Sequence, residues 1–508
     1  MTTGYERVPE DPPPLGDTTA RIHIVQVNTE DIRGGAAMAA YRLFTGLKAF
    51  DENVRMLVKY KKSTNSDVIA VSSNDEEREL ERELFSHFIH QECIDKKRTP
   101  VSTTLFSYPI FGYDFEYSKL LENADIINLH WINFFCSLSS LAQIAGMKKP
   151  VVWTLHDEWL LTGGCHYPSG CENYLEECKK CPQLADDARS LPQYYHERKR
   201  HLVREMNPVI VTPSRWLAEL VRRVDAFRDM RIEVIPNSID TALYTDISKE
   251  TARKRLNLPP GGFYILFSVS NACEKRKGIH HLAAALGYCM EDQVFSGKVM
   301  AGEIKLVCFG DPGTWTNEMQ IPLISLGRIE SEGDLCTAYS AADVFLVPSI
   351  EDNLPNIVME AMSCGTPTIA FDTGGIPEMI QNGVNGYIVR KGSESDYAKA
   401  IVELAGDPER SAEMSKNCRT IAVKTFSLEV QAKRYLALYD SLLPADGRKI
   451  NRISLAKGHP GTELLPDASD INIMIMRHFP MQVIAMEMKI VMRRSRRLLT
   501  TLWQKETD

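Results

Sequence analysis

Residues 347–380 read VPSIEDNLPNIVMEAMSCGTPTIAFDTGGIPEMI, and they carry the clearest pattern of secondary structure in the chain. An apolar strand, Val344 to Val347, leads into it, and a second strand, Thr368 to Phe371, follows. Between the strands, Pro355 marks the start of a helix, because proline is favoured at the first helical position. Gly365 marks its end, because glycine accepts the left-handed backbone that stops a helix. A strand, a helix and a strand in this order predict a layered α/β domain with a parallel sheet.

Two carboxylates accompany the start of this helix. Asp352 lies in the loop before it and Glu360 inside it, and eight helical positions would span roughly 12 Å. The free N–H groups and the dipole of a helix N-terminus favour an anion. Carboxylates that accept hydroxyl protons, placed around a phosphate-binding helix end, suit a sugar nucleotide.

Length, charge and cysteine content narrow the class of protein. The chain has 508 residues, enough for two or three domains, and its net charge of -8 argues against a nucleic-acid partner. The N-terminal sequence has no apolar segment of the kind found in secretory signals, and no run approaches the roughly 18 apolar residues of a membrane span. The twelve cysteines are therefore expected in a reducing compartment, and the protein is expected to be cytoplasmic.

The first half of the chain shows an α/β rhythm. A strand from Ile22 to Asn28 runs to Gly34 and Gly35, which enter a helix at Met38 to Leu47. Glycines at such a point either bring backbone N–H groups against a phosphate or close a tight turn, and the residues allow both. Further strands are predicted at Val54–Lys59, Val68–Val71, Ile126–Leu129, Val151–Leu155 and Val209–Thr212.

Polar and aromatic residues follow two of these strands. In open α/β sheets ligands collect outside the carboxyl ends of the strands, which makes His156 a functional candidate by position. A histidine there is equally well explained as a capped turn residue that fixes the loop. His130 and Trp131, at the end of the preceding strand, have the same two explanations with less support.

The second half repeats the α/β rhythm and adds a basic turn. Lys275, Arg276 and Lys277 precede a helix, where three cations oppose the helix dipole and call for an anion. A pyrophosphate would compensate them, and a solvated basic turn is the alternative. The predicted strands are Tyr264–Val269, Ile304–Phe309, Leu323–Leu326, Val344–Val347, Thr368–Phe371 and Tyr387–Val389.

Four cysteines lie within seventeen residues, at Cys165, Cys171, Cys178 and Cys181. The last two have C-x2-C spacing, and four thiolates can hold a structural zinc in tetrahedral geometry. Free thiols or two disulfides are the alternatives. In either case the cluster is expected to be structural, because four sulfur ligands leave no open coordination position.

The pattern of elements predicts the domain organisation. We expect a flexible tail at 1–20, an α/β domain at 21–240, a linker at 241–262 and a second α/β domain at 263–425. A helix at 426–443 closes the second domain or crosses back to the first. Residues 444–508 are a linker and a basic amphipathic helix, which lies on an anionic membrane surface or packs on the protein itself.

Seven motifs follow one another along the chain: GGAA at Gly34, NLHW at Asn128, WTLHDEW at Trp153, TGGCHY at Thr162, IPNSID at Ile235, RKG at Arg276 and EDNLPNIVMEAMSCGTP at Glu351. In this order they resemble the retaining glycosyltransferases of family 4, and in particular a bacterial polysaccharide-assembly branch that includes colanic-acid-type enzymes. The resemblance covers roughly residues 22–443. It implies the GT-B fold, in which two Rossmann-like domains face each other across a cleft, with 21–240 on the acceptor side and 263–425 as the nucleotide-sugar domain.

The resemblance also implies roles for residues of the acidic stretch. The acidic pair of the family falls on Asp352, which would hold the hydroxyls of the donor sugar, and on Glu360, which would hold the ribose. The family has glutamate at the position of Asp352, and Glu351 stands next to it, so either carboxylate is a candidate for the sugar. The neighbouring Asn353, Leu354 and Pro355 are expected to line the donor site.

Three further roles come from the same resemblance. The phosphate lysine of the family falls on Lys277, and its partner arginine is here Asn271, so Arg276 or Lys275 is expected to substitute for it. The glycine loop falls on Gly34 and Gly35. The histidine that meets the donor sugar from the first domain falls on His156.

Together these features predict a hexosyl transfer from a nucleotide-diphosphate sugar to a glycan or lipid-linked acceptor, with retention at the anomeric carbon. Lys277, its basic neighbours and backbone N–H groups would stabilise the leaving diphosphate, so no metal cofactor is required for catalysis. The resemblance implies same-face attack assisted by that phosphate. A sugar-nucleotide epimerase or hydrolase and a non-catalytic nucleotide-sugar-binding scaffold are the alternatives. The basic tail would place the enzyme at the inner face of the membrane.

Overall fold

A computed structural model describes residues 22–50, 53–71, 76–102, 104–115, 118–186, 190–269, 274–311, 313 and 318–443. The predicted tail at 1–20, the predicted basic helix within 444–508 and Asn271 lie outside these residues. Within the described ranges, no helix is both long and apolar enough to cross a membrane.

The first domain is built on a seven-stranded parallel sheet. Its elements are β1 (His23–Glu30), α1 (Gly35–Ala49), β2 (Asn53–Tyr60), β3 (Val68–Ala70), α2 (Glu76–Cys93), α3 (Lys119–Glu122), β4 (Ile126–Leu129), α4 (Leu138–Gly146), β5 (Val151–Thr154), α5 (Leu191–Met206), β6 (Val209–Thr212), α6 (Arg215–Arg223) and β7 (Ile232–Val234). The strands lie in the order β3-β2-β1-β4-β5-β6-β7. Strands β4, β5 and β6 are buried at every residue, as expected for a parallel sheet with both faces covered.

The second domain is built on a six-stranded parallel sheet in the order β10-β9-β8-β11-β12-β13. The remaining elements of the chain are α7 (Lys249–Arg255), β8 (Phe263–Val269), α8 (Ile279–Cys289), α9 (Gln293–Met300), β9 (Ile304–Gly310), β10 (Leu323–Ser325), α10 (Glu332–Ala341), β11 (Val344–Val347), α11 (Asn356–Ser363), β12 (Thr368–Phe371), β13 (Gly386–Val389), α12 (Glu394–Gly406), α13 (Pro408–Phe426) and α14 (Leu428–Asp440). The predicted strands of both domains are present, with ends that differ by at most two residues. The edge strand β7 was not predicted.

The ends of α11 show why this segment is helical. Pro355 is the N-cap rather than the first helical residue, so the helix begins one position later than predicted. At the other end Gly365 has a φ of 73°. Its N–H donates to Met362 O, and the Thr366 N–H donates to Ala361 O. These two hydrogen bonds form a Schellman motif, which satisfies carbonyls that the end of the helix leaves free.

The last described helix, α14, crosses back and packs on the first domain. Tyr435 and Tyr439 are buried among residues of the first sheet. The Tyr435 hydroxyl lies 3.0 Å from Thr154 Oγ1, and Asn128 Nδ2 donates to the Tyr439 hydroxyl over 2.8 Å. The crossing therefore ties the two domains together, which decides between the two alternatives that the sequence allowed.

Each sheet has one point at which the order of its strands reverses, between β1 and β4 in the first sheet and between β8 and β11 in the second. We call these the first and second switch points. Ligands of open α/β sheets bind outside the carboxyl ends of the strands at such a place. The two switch points face each other, since Asn356 Nδ2 at the start of α11 donates to Gly35 O at the start of α1 over 2.9 Å.

Candidate active site in the cleft

The acidic loop between β11 and α11 lies against two cations of the second domain. Lys277 Nζ is 2.6 Å and Arg276 Nη1 is 3.4 Å from Asp352 Oδ2. The Asn353 backbone N–H donates to Asp352 Oδ1. Burial by itself would raise the pKa of the Asp352 carboxyl, but the two cations and the hydrogen bonds outweigh burial and hold that pKa below its usual value. Asp352 is therefore a buried carboxylate in a cluster of opposite charges.

Close backbone contact holds the basic turn beside this loop. Residues 275–277 form one 3-10 turn, and Gly278 follows with a φ of 71°. A Cβ at Gly278 would lie 1.9 Å from Pro348 O, so glycine is required for the approach. The turn directs Lys277 to the acidic loop, whereas Lys275 Nζ donates to Pro100 O of the first domain over 3.4 Å.

A glycine pair supports the acidic loop from the side of β12. Gly374 has a φ of 58°, and a Cβ there would lie 1.6 Å from Asp352 O. The Gly375 N–H donates to Asn353 O over 2.7 Å. Leu354 is buried in the hydrophobic core of the second domain. The predicted site residue Leu354 therefore anchors the loop, while Asp352 carries its charge.

Gly34 and Gly35 form the facing edge of the cleft. Gly34 is the N-cap of α1 with a φ of 93°, in the region that glycine adopts readily. Gly35 is the first residue of α1, and its carbonyl is the acceptor for Asn356 Nδ2. The glycine loop of the first domain and the N-terminus of α11 are thus adjacent.

The backbone carbonyl of His156 lies at the cleft, and the ring of His156 contacts the ring of His130. Its carbonyl accepts from Asn353 Nδ2 over 3.2 Å, and Ser214 Oγ donates to the Asn353 side-chain oxygen over 2.7 Å. The His156 ring stacks on His130, with Nε2 3.2 Å from His130 Nδ1. Burial lowers the pKa of His156 to about 4 and the pKa of His130 well below its usual value. Both rings are therefore neutral near pH 7.

A hydrogen-bonded network behind His156 fixes its loop. His166 Nδ1 and Trp131 Nε1 lie 2.6 and 3.0 Å from Asp157 Oδ2, and the Trp159 N–H donates to Asp157 Oδ1. His166 Nε2 is 3.0 Å from Ser107 Oγ. Sequence reasoning missed this network. Its one local signal was Asp157 itself, a carboxylate directly after the candidate histidine.

The segment that follows His166 extends from the first domain onto the acidic loop. The Tyr167 hydroxyl lies 3.5 Å from Asp352 Oδ1, and its ring packs 4.2 Å from the guanidinium carbon of Arg276. The Ser169 N–H donates to Glu351 Oε1 over 3.1 Å. Burial raises the pKa of the Glu351 carboxyl. The Glu351 carboxylate thus contacts the backbone of the opposite domain, whereas the Asp352 carboxylate pairs with the two cations of the basic turn.

The four cysteines of this segment line one cavity of about 20 Å³. Cys165, Cys171 and Cys178 are free thiols, and burial raises the pKa of Cys165 and Cys178. Burial also lowers the pKa of the adjacent Lys199 ammonium to about 7. In the part of the chain that the structure describes, no group of three or more His, Cys, Asp or Glu residues is placed to hold a metal ion. The four cysteines thus line the same cavity, and the zinc stays a prediction.

Glu360 is bound from both domains. Its Oε1 is 2.9 Å from Arg42 Nη2 of α1, and its Oε2 accepts from the Tyr339 hydroxyl over 3.0 Å. The same Arg42 nitrogen is 3.3 Å from Glu332 Oε1. Sequence reasoning missed Arg42. The available signal was its position seven residues after Gly35, two helical turns along the same face of α1.

The structure brings most of the predicted site residues to one cleft between the two switch points. Lys275 points to another part of the first domain, and Leu354 lies in the core. Those that lie at the cleft are Gly34, Gly35, His156, Arg276, Lys277, Glu351, Asp352, Asn353, Pro355 and Glu360.

Comparisons with known proteins agree with this architecture. A profile described as Glycosyltransferase Family 4 matches residues 33–243, and one described as Glycosyl transferases group 1 matches residues 263–407. The putative colanic acid biosynthesis glycosyl transferase WcaC of Escherichia coli is 26% identical over 348 residues, which are 60% of this chain and 80% of that protein. A D-inositol 3-phosphate glycosyltransferase of Corynebacterium jeikeium is 26% identical over 59% of this chain and 72% of that protein.

Two solved structures show the same fold. Sucrose-phosphate synthase from Thermosynechococcus elongatus superposes with a TM-score of 0.55 at 18% identity, over 83% of this chain and 99% of that chain. Anabaena HepE in complex with UDP-glucose superposes with a TM-score of 0.53 at 17% identity, over 83% of this chain and all of that chain. Two facing Rossmann-like domains with a site in the cleft define a GT-B enzyme. This chain belongs to the family 4 glycosyltransferases.

Proposed function

We propose that this enzyme transfers a hexosyl group from a nucleotide-diphosphate sugar to a glycan or lipid-linked acceptor in polysaccharide biosynthesis, with retention at the anomeric carbon. The transfer takes place in the cleft between the two switch points. One observation carries the proposal: Arg276 and Lys277 converge on Asp352 at the start of α11, and Glu360 lies on that same helix.

This arrangement supports a division of roles along the donor. The N-terminus of α11, Arg276 and Lys277 attract the diphosphate, which competes with Asp352 for the two cations. Glu360 accepts hydrogen bonds from the ribose hydroxyls. Asp352 accepts them from the sugar, in preference to Glu351, because the Asp352 carboxylate pairs with Lys277 and Arg276, whereas the Glu351 carboxylate accepts from the Ser169 N–H of the first domain.

The chemistry follows from the charges at the second switch point. Negative charge develops on the leaving diphosphate as the bond to the sugar breaks, and pre-positioned cations stabilise it. Lys277, Arg276 and backbone N–H groups supply that positive charge without a metal. His156 is neutral near pH 7 and meets the sugar from the first domain. The acceptor hydroxyl attacks from the face that the diphosphate leaves, and the diphosphate takes its proton.

The relatives suggest which substrates to test first. HepE was solved with UDP-glucose, so UDP-sugars are the first donors to examine. WcaC is named for colanic acid biosynthesis, which favours a polysaccharide intermediate as acceptor.

The enzyme acts in the cytoplasm, where residues 444–508 hold it at the inner face of the membrane. Sedimentation with anionic liposomes checks that contact, and equal partitioning of a chain that ends at residue 443 would contradict it.

The four cysteines hold a structural zinc in this proposal. Metal analysis of the purified protein should find one zinc per chain, and Cys178→Ser should release it. A metal-free protein in which all four thiols react with a thiol reagent after unfolding would show free thiols instead.

A donor screen followed by a product assay tests the function. A bound donor should raise the melting temperature by mass action, and Glu360→Gln should remove most of that shift. With an acceptor, proton NMR should show a product of the same anomeric configuration as the donor. Donor consumption without an acceptor would point to the epimerase or hydrolase. Tight binding without turnover across an acceptor panel would point to the scaffold.

A further inference from the structure

An arginine of the first domain is buried against the second. The Arg42 side chain extends from α1. Its Nη2 lies between two carboxylates, 2.9 Å from Glu360 Oε1 and 3.3 Å from Glu332 Oε1. Its guanidinium carbon lies 5.3 Å from the ring centre of Tyr244, and the side chain is 4% exposed. A cation this well buried is expensive to desolvate, and the pair with Glu360 compensates that cost. Because Arg42 and Glu360 belong to different domains, the pair forms only when the two domains are in contact.

Arg42 has further N–H groups that are available to donate hydrogen bonds. Its Nε and Nη1 are both buried and have no hydrogen-bond partner among the described residues. Buried N–H groups without partners are rare, because each forfeits its hydrogen bond to water. Two such nitrogens on one charged side chain, beside a carboxylate at the cleft, indicate a ligand with oxygen acceptors.

The Glu360 carboxylate can also accept further hydrogen bonds. Arg42 occupies one site on Oε1 and the Tyr339 hydroxyl occupies one on Oε2. An ionised carboxylate offers about four acceptor sites. A ligand that meets this pair therefore finds free acceptors on Glu360 and free donors on Arg42. Hydroxyl groups, which donate and accept at once, match both, and a ribose presents two of them on adjacent carbons.

We propose that Arg42 and Glu360 together form the ribose site, so that the first domain contributes a residue to nucleotide recognition. Arg42 positions Glu360 through Nη2 and donates from Nε and Nη1 to the ribose hydroxyl oxygens. Glu360 accepts the protons of the same hydroxyls. The site is complete only when the domains are closed, and it distinguishes a ribonucleotide from a deoxyribonucleotide. The inference rests on the proposed function, since it assumes that the cleft takes a nucleotide.

Calorimetric titration with UDP and with 2′-deoxy-UDP tests this assignment. The wild type should bind UDP more tightly than the deoxy analogue. Arg42→Gln should weaken UDP binding roughly 10- to 100-fold, as for the loss of hydrogen bonds to a charged group, and should reduce the preference for UDP over the analogue. A purely structural role would weaken both ligands by the same factor and would overturn the assignment.

A double-mutant cycle separates a direct pair from independent effects. If Arg42 acts with Glu360 on the same hydroxyls, Arg42→Gln combined with Glu360→Gln should bind UDP little worse than either single variant. Additive losses would contradict the pairing. Arg42→Lys keeps the charge and should retain the fold while it loses part of the ribose preference, so a poorly folded glutamine variant would not decide the matter alone.

A matched control and the wild type itself complete the design. Lys48→Gln changes a partly exposed cation on the same helix, paired with Asp67 at 2.8 Å and remote from Glu360, and should leave both affinities unchanged. If the wild type binds neither UDP nor UDP-glucose, both the proposal of a UDP-sugar donor and the proposal of the ribose site are contradicted. If the wild type binds UDP and Arg42→Gln binds it equally well, only the ribose site fails.

Discussion

At the first switch point lie a glycine pair and the stacked rings of His130 and His156, which burial keeps neutral. At the second, Arg276 and Lys277 form a cluster of charges around the buried Asp352. The two places are equivalent in topology, since each follows the reversal of strand order in a parallel sheet. The fold thus supplies two similar positions for a ligand. The charged side chains suit the second position to a phosphate, whereas the glycines and neutral rings of the first set the shape of the site.

The largest effect is expected from loss of the cation at the second switch point. Lys277→Gln should lower kcat about 100- to 1,000-fold, because removal of one preorganised group that stabilises developing charge has this size. Steady-state turnover of UDP-glucose with an accepted substrate measures it. Lys399→Gln, an 80% exposed cation of α12, is the control and should leave kcat unchanged. Similar rates for both variants would place the leaving group elsewhere.

The backbone that supports the charged cluster should be the next most sensitive feature. Gly374→Ala adds a Cβ that would lie 1.6 Å from Asp352 O at a φ of 58°. We expect a loss of about 2–3 kcal/mol in the free energy of unfolding, from the clash and the left-handed backbone together. Gly392→Ala has a φ of 71° with no neighbour within 4 Å, so it should cost only the backbone part, about 1 kcal/mol. Equal losses in urea unfolding would mean that the acidic loop moves aside.

The neutral His156 ring at the first switch point should make the free energy of unfolding depend on pH. The pKa of His156 is lowered to about 4 by burial, whereas an unfolded histidine titrates near about 6.5. Between these values the unfolded chain binds a proton that the folded chain does not. Stability is therefore full above pH 6.5 and falls as pH falls toward 4. His156→Gln should remove about 2 kcal/mol of this dependence between pH 7 and pH 4.5, measured by urea unfolding. An unchanged slope would show a charged or exposed ring.

A smaller effect is expected where the second domain caps a helix of the first. Glu378 accepts the N–H groups of Arg215 and Trp216 at the start of α6, both over 2.9 Å. Glu378→Gln should cost about 1 kcal/mol, the usual value for a helix cap, and loosen the contact between the domains. Thermal unfolding and small-angle scattering measure the two effects. Glu413→Gln on α13, an exposed pair with Arg410 within one domain, is the matched control.

Local sequence patterns predicted the elements well because local rules govern them. The strand Val344–Val347 and the helix stop at Gly365 follow from apolar runs and from glycine chemistry, and both are found. Pro355 was placed one position too far into α11, because proline suits the N-cap as well as the first turn. The edge strand Ile232–Val234 has three residues, none of them fully buried, and too little pattern to be recognised.

Long-range partners were harder to predict because no short-range pattern encodes them. The charge at Asp352 and Lys277 could be read from the chain, yet the 3.5 Å approach of Tyr167 spans 185 positions. Arg42 and Glu360 are 318 positions apart. The direction taken by α14 was also left open, since an amphipathic helix fits either sheet equally well by pattern alone.

In the proposed mechanism the two switch points form one nucleotide site. Hydrogen–deuterium exchange with and without UDP measures this directly, segment by segment. Slower exchange is predicted in the presence of UDP at 31–42 in the first domain, and at 274–282 and 350–360 in the second. Protection confined to one domain, or none at saturating UDP, would contradict it.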